Sequence, residues 1–218
     1  MREGYKGILK NAEIAISYAG DHLEELRHAD EARALWRAWS GFLDQYVKAV
    51  AALRRATDTG SSKSWSDKLL QEQRSHPYLQ YAFQARDHAN HVFEDEKEAR
   101  ERSVSIGDFI RVSGDSSIEL YNNRIIHPDG RVERLPDGKL EVKGGRYAGG
   151  SIGREGVKEH EHFLVLKDVK TRSGVYRVPN EAIIAEHQAI ELGQVVVEWL
   201  QAKLQEAEKM REDECESR

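Results

Sequence analysis

Cysteine is almost absent from this chain of 218 residues: Cys215 stands alone, in a charged tail, and cannot form an internal disulfide. A disulfide-stapled scaffold is therefore excluded, and a reducing, cytoplasmic setting is the expectation. Proline is scarce as well, and Pro77 is the one proline between residue 5 and about residue 102. No apolar run approaches the length of a membrane span. The opening MREGYKGILKNAE lacks the hydrophobic stretch of a signal peptide. A basic excess is also lacking. The net charge of −5 argues against strong nonspecific attraction to duplex nucleic acid, although a sum of charges hides their geometry and leaves room for a local basic face. Several catalytic signatures are missing: there is no HExxH, no nucleophile elbow, no Cys–His pairing and no Gly-Lys-Ser/Thr phosphate loop.

What is present is 39% apolar and 33% charged residues, enough to bury a core under a heavily solvated surface. Residues 5 to about 102 read as helices. Ile8, Leu9, Ala12, Ala15, Ile16, Leu23 and Leu26 recur at three-to-four spacing, with Gly20-Asp21 as a point of bending or interruption. A second helix follows Asp30, carries Leu35, Trp36, Trp39, Phe42, Leu43, Tyr46, Val47, Val50 and Leu53, and stops near Thr57 at the loop DTGSSKS. A short helix covers Trp65 to about Gln73. Ser75 and Pro77 then announce a fourth, with Tyr78, Leu79, Ala82, Phe83, Ala85, Ala89 and Phe93 apolar and EDEKEARER as its solvated end.

From about Val104 the pattern alternates with period two. Asp129-Gly130 and Asp137-Gly138 are hairpin signals. GGRYAGGSIGREG reads as a flexible connection, and HFLVLKDV and GVYRVP as strands joined at Arg172-Ser173-Gly174. A last helix runs from near Ala185 to Lys209, with Ile190, Val195, Val196, Trp199, Leu200 and Leu204 along one side. The expectation is an α+β protein: a helical bundle over 1–103, an antiparallel β unit over 104–180, a closing helix over 181–212 packed on the bundle, and a frayed tail over 213–218.

The segment HPYLQYAFQARDHANHVFED concentrates chemistry-bearing residues. Arg86, Asp87, His88, Asn90 and His91 fall within six positions of one helix. Arginine binds phosphate oxygens at any physiological pH, and histidine moves protons near pH 7. A histidine can take a proton from a ribose 2′-hydroxyl or give one to a leaving 5′-oxygen, while an arginine offsets charge in the transition state. Arg86 and His91 lie about 140° apart on a helix and flank a groove that the long arginine can close. The spacing alone is common; Arg154 and His160 show a similar one in a glycine-rich stretch.

This segment resembles the Arg-polar-x-x-x-His signature of HEPN domains, small helical bundles, with Arg86, Asp87 and His91 on its three positions. It is also similar to uncharacterised bacterial proteins that keep such a helix. The resemblance covers at most the first hundred residues. It implies a metal-independent, cofactor-free endoribonuclease site, completed by two copies of the motif across a homodimer, with RNA as the partner. His91 would transfer the proton, Arg86 hold the scissile phosphate, and Asp87 take the position often held by Asn. The alternative is a non-catalytic interaction or ligand-binding module whose β unit presents the surface.

His160 and His162 in KEHEHFLV stand two apart at the mouth of a strand, where period-two geometry would aim both imidazoles to one side. A metal there would need a third ligand, such as His127 or Glu159, and solvated strand-edge histidines are the commoner arrangement, so no metal is assigned. The tryptophans Trp36, Trp39, Trp65 and Trp199 sit mostly at core-like helical positions.

Overall fold

The computed structural model describes residues 5–58, 60–91, 97–107, 110–180 and 185–216; the side chains of Tyr5, Ser61, 88–91, 97–98, Ile125, Glu155 and 211–216 are outside that description. The fold is α+β, and the chain divides into two compact units. One comprises Met1–Ala29, Arg33–Glu98 and Leu164–Arg218, the other Asp30–Ala32 and Ala99–Phe163.

Among the described residues five α-helices build the first unit: α1 (Tyr5–His28), α2 (Ala32–Thr57), α3 (Lys63–Ser75), α4 (Pro77–His91) and α5 (Ala185–Glu216). The interruption expected at Gly20-Asp21 does not occur. A glycine in a helix costs about 1 kcal/mol against alanine, and buried Ala19, Leu23 and Leu26 hold the turns on either side of it. Trp39 and Phe42 of α2 stack at 5.5 Å between ring centroids. Gly41 lets α2 approach α1, since a Cβ there would lie 2.6 Å from the His22 ring. α5 closes the bundle on α1, where Gly193 meets Leu23 and Arg27 donates to Gln194 at 3.0 Å. The helix continues past the expected Lys209 to Glu216, into the tail expected to fray from 213, because EKMREDECE consists mainly of good helix formers.

Two polar clusters tie the helices together. Tyr46 is buried on α2; its hydroxyl donates to the Leu79 carbonyl of α4 at 3.1 Å and accepts from Gln73 Nε2 of α3 at 3.0 Å. Burial pushes this phenol well above its usual range, against the opposing pull of the Gln73 hydrogen bond. On α3, Glu72 accepts from Trp199 Nε1 at 3.0 Å and Lys203 Nζ at 3.1 Å, both on α5. Burial alone would raise the Glu72 carboxyl, but the Trp199 and Lys203 bonds and the nearby charges of Lys203 and Lys68 outweigh it and hold the group below the ordinary carboxylate range.

Strand β1 (Lys97–Arg100) belongs to a two-stranded ladder, where the charged run had been expected to end a helix; ladder pairing overrides the helical preference of these residues. The earlier part of that run lies outside the described residues. The second unit then holds β2 (Ser103–Ile106), β3 (Ile110–Ser113), β4 (Ser116–Leu120), β5 (Arg124–Ile126), β6 (Val132–Arg134), β7 (Gly138–Lys143), β8 (Arg146–Gly150) and β9 (Val157–His160). These form two three-stranded antiparallel sheets, β3-β2-β9 and β4-β7-β8, and the hairpin β5-β6. Their core is Val104, Ile106, Leu120, Leu135, Leu140, Val142 and Ile152.

Asp129-Gly130 does lie in the turn of the β5-β6 hairpin. Asp137-Gly138 does not make a hairpin, because β6 and β7 do not pair. Asp137 instead accepts from Asn122 N at 2.6 Å and from Arg134 at 3.3 Å, pinning the neighbouring turn. The segment RYAGG, expected to be a flexible connection, is strand β8. Gly145 opens the turn into it with a φ of +72°, where a Cβ would collide with the Arg102 carbonyl, and a Cβ at Gly150 would meet the Lys139 carbonyl. The glycines there allow close backbone approach.

The chain returns to the first unit through β10 (Phe163–Leu166), and β11 (Val169–Thr171) and β12 (Gly174–Tyr176) form a hairpin that joins the helices. HFLVLKDV is thus divided between β10 and β11. Residues 164–180, expected in the β unit, cluster with the bundle: Val169 is buried, and Tyr81 of α4 donates to the Lys167 carbonyl at 2.7 Å.

Candidate functional site

α4 starts where the sequence says it should. Pro77 occupies its first position, where a missing N–H costs nothing, and Gln80 N donates to the His76 carbonyl at 2.9 Å to close the first turn. Leu79, Tyr81, Ala82 and Ala85 are buried. Tyr81 was not among the expected core residues, and Phe83, which was, is exposed. The β11–β12 hairpin explains the first difference, since it covers a side of α4 that an isolated amphipathic helix would turn to water.

One turn past Ala82, Arg86 emerges at the rim of the bundle. Its Nε donates to Asp44 Oδ1 of α2 at 3.2 Å, and both side chains are partly exposed, 38% and 49%. Asp87 is exposed beside Arg86. The backbone of α4 continues through His91, so Arg86 and His91 share one uninterrupted helix; the His91 side chain lies outside the described residues, as do those of His88 and Asn90.

Asp44 was missed in the sequence. It is the only acidic residue between Ala32 and Thr57, a helix with five cations: Arg33, Arg37, Lys48, Arg54 and Arg55. That lone carboxylate in a basic helix is the signal that could have marked it as a partner for an arginine elsewhere.

His160 and His162 do not act as a strand pair. β9 ends at His160, so the period-two relation fails at the next residue. The His160 Nε2 and Ser105 Oγ are 2.8 Å apart, while His162 Nδ1 is buried with no hydrogen-bond partner. The third ligands considered are engaged elsewhere: His127 Nε2 lies 3.1 Å from Glu133, and Glu159 accepts from Tyr147 N at 3.3 Å. Among the described residues no three His, Cys, Asp or Glu side chains converge to hold a metal. Nor, among them, is any helix long and apolar enough to cross a membrane.

Searches against family models, curated proteins and solved structures return no match for this chain.

Proposed function

We propose that the end of α4 carries a metal-independent RNA-cleaving site, built from Arg86, Asp87 and His91 and completed by the same residues of a second copy in a homodimer. The observation that supports this reading is the placement of Arg86. It stands partly exposed on the same unbroken helix as His91, with its Nε edge oriented by Asp44. In this chemistry the ribose 2′-oxygen attacks the adjacent phosphorus as His91 accepts its proton. The P–O5′ bond breaks, the leaving 5′-oxygen takes a proton from an acid such as the second His91, and a 2′,3′-cyclic phosphate remains. Arg86 offsets the charge that grows on the phosphoryl oxygens, and Asp87 orients one of the pair. The test is cleavage of a mixed RNA pool in EDTA by wild-type, Arg86→Ala and His91→Ala proteins, with folding followed by circular dichroism. Activity confined to the wild type supports the site; equal activity in all three refutes it.

A second reading has its own supporting observation. In the β unit, Ile126 and Val132 face each other across the β5-β6 ladder, yet both are exposed, as is nearby Tyr121. Exposed apolar side chains gathered on one hairpin suit a non-catalytic interaction module. Under that reading no RNA is turned over, and binding of a partner survives His91→Ala but fails with Ile126→Asp.

A further inference from the structure

The outward face of α2 carries a charge pattern that the rest of the chain does not prepare for. The chain has a net charge of −5, but α2 sets five cations against one carboxylate. At 3.6 residues per turn, Arg33, Arg37, Asp44, Lys48 and Arg55 fall within an arc of about 40 to 60°, a stripe roughly 33 Å long. The single carboxylate is taken by Arg86. Among the described residues no ion pair or hydrogen bond engages the side chains of Arg33, Arg37, Lys48, Arg54 or Arg55.

Two hollows flank this stripe. Between α1 and α2 lies an open groove of about 410 Å³, with Asn11, Ile14 and Tyr18 on one wall and Lys48, Ala52 and Arg55 on the other. On the far side of Ala51, which borders both, a second hollow of about 270 Å³ is lined by Arg54, Arg74, Gln80, Phe83 and Gln84 among others. Among the described residues no carboxylate lines either one. The Arg54 Nε–H at the second hollow is buried and has no hydrogen-bond partner. Each hollow also has an exposed aromatic, Tyr18 at 52% and Phe83 at 39%.

Unpaired cations at intervals along a helix, with aromatic rings beside them, are what a single-stranded nucleic acid needs: charges for successive phosphates and flat faces on which bases stack. An acidic peptide would use the cations and leave the exposed rings without a purpose. We propose that the outward face of α2, with its two flanking hollows, is a track for single-stranded RNA leading to Arg86, which Asp44 places one turn before Lys48. This deepens the RNA-cleaving reading of α4 and rests on it for the choice of RNA as the polyanion.

The test is fluorescence anisotropy of a labelled mixed-sequence RNA of about 12 nucleotides, within the range of single-strand site sizes. It is made in EDTA on the full-length His91→Ala protein, so that turnover does not consume the probe. The expected slope of log K against log salt is about −3, from roughly 0.7 for each of four phosphates neutralised. Lys48→Glu/Arg55→Glu should weaken binding by roughly tenfold or more and cut the slope by about half. Tyr18→Ala should weaken it by about tenfold with the slope unchanged. Circular dichroism should match in all variants, since these side chains are exposed. The track is overturned by an absence of RNA binding at low salt, or by binding indifferent to the double substitution. Tighter binding of polyglutamate or of anionic phosphatidylserine vesicles than of RNA also overturns it. RNA binding with the expected dependences but no cleavage by the wild type leaves the track standing and refutes the catalytic reading.

Discussion

Arg86 and Asp44 meet across the α4–α2 boundary with 3.2 Å between Nε and Oδ1, both partly in water. Exposed pairs of this kind contribute about 0.2–1 kcal/mol to stability. Their value in the RNA-cleaving reading is orientation, because the carboxylate fixes the plane of the guanidinium. Asp44→Ala is therefore expected to lower the stability to urea by less than about 1 kcal/mol. RNA cleavage should fall much further, by tenfold or more, with Asp44→Asn recovering part of the loss through its remaining acceptor oxygen. Parallel urea titrations and initial rates check this, and activity that tracks stability across both variants would contradict it.

Tyr46 gives a prediction about the bundle that involves no function. Among the described residues its hydroxyl is the one partner of Gln73 Nε2, and it also donates to the Leu79 carbonyl, deep between three helices. Tyr46→Phe removes one oxygen, strands the Gln73 amide, and leaves the Leu79 carbonyl with its helical bond alone. The expected loss is about 1–3 kcal/mol, read from chemical denaturation, with secondary structure unchanged. A loss below a few tenths would mean that water reaches this position.

The Glu72 carboxyl sets an acid dependence. Its folded-state pKa lies below the ordinary 4.5. Its contribution is thus complete above the unfolded value and disappears as pH falls through the folded one. Glu72→Gln should cost stability at neutral pH and flatten the decline of Tm below about pH 4.5 relative to wild type. Identical Tm–pH curves would show that Trp199 and Lys203 gain nothing from the charge.

In the β unit the sharpest local constraint is Gly145, with its φ of +72° and the Arg102 carbonyl where a side chain would begin. Gly145→Ala combines backbone strain with a clash and should destabilise this unit by about 1–3 kcal/mol or more. Gly144→Ala, next to it at a φ of +56° but in open space, should cost less. Amide exchange in β7 and β8 reads the difference.

Much of this architecture was legible in the residues. The five helices were all expected, four of them from their apolar patterns, and Pro77, Asp129-Gly130 and Arg172-Ser173-Gly174 marked a helix start and two turns that the structure has. What escaped was set by partners distant in sequence. Tyr81 is buried because Lys167 and its hairpin arrive 86 residues later, a relation no local window contains. RYAGG looks like a linker by composition, yet it pairs with β7, and Gly150 admits the Lys139 carbonyl there. At the candidate site, the helix and the Arg86–His91 spacing could be read from sequence, and Asp44 stood out as the lone carboxylate of a basic helix, whereas its pairing with Arg86 is visible only once α2 and α4 are side by side.

The order of synthesis gives the closing helix a further consequence. Arg27 and Gln194 are separated by 167 residues, and Trp65 and Glu206 by 141. Long-range closure of this kind slows folding, because loop entropy is lost before the contacts reward it. As the chain leaves the ribosome, α1 to α4 are complete while the groove that will receive Leu192, Val196 and Leu200 is still open to water. The whole β unit is made during that interval, and its core, drawn from residues between Val104 and Ile152, is synthesised entirely before α5. The inserted unit can therefore fold while the bundle is still unsealed, and an open apolar groove at that stage is where aggregation and chaperone capture compete with completion.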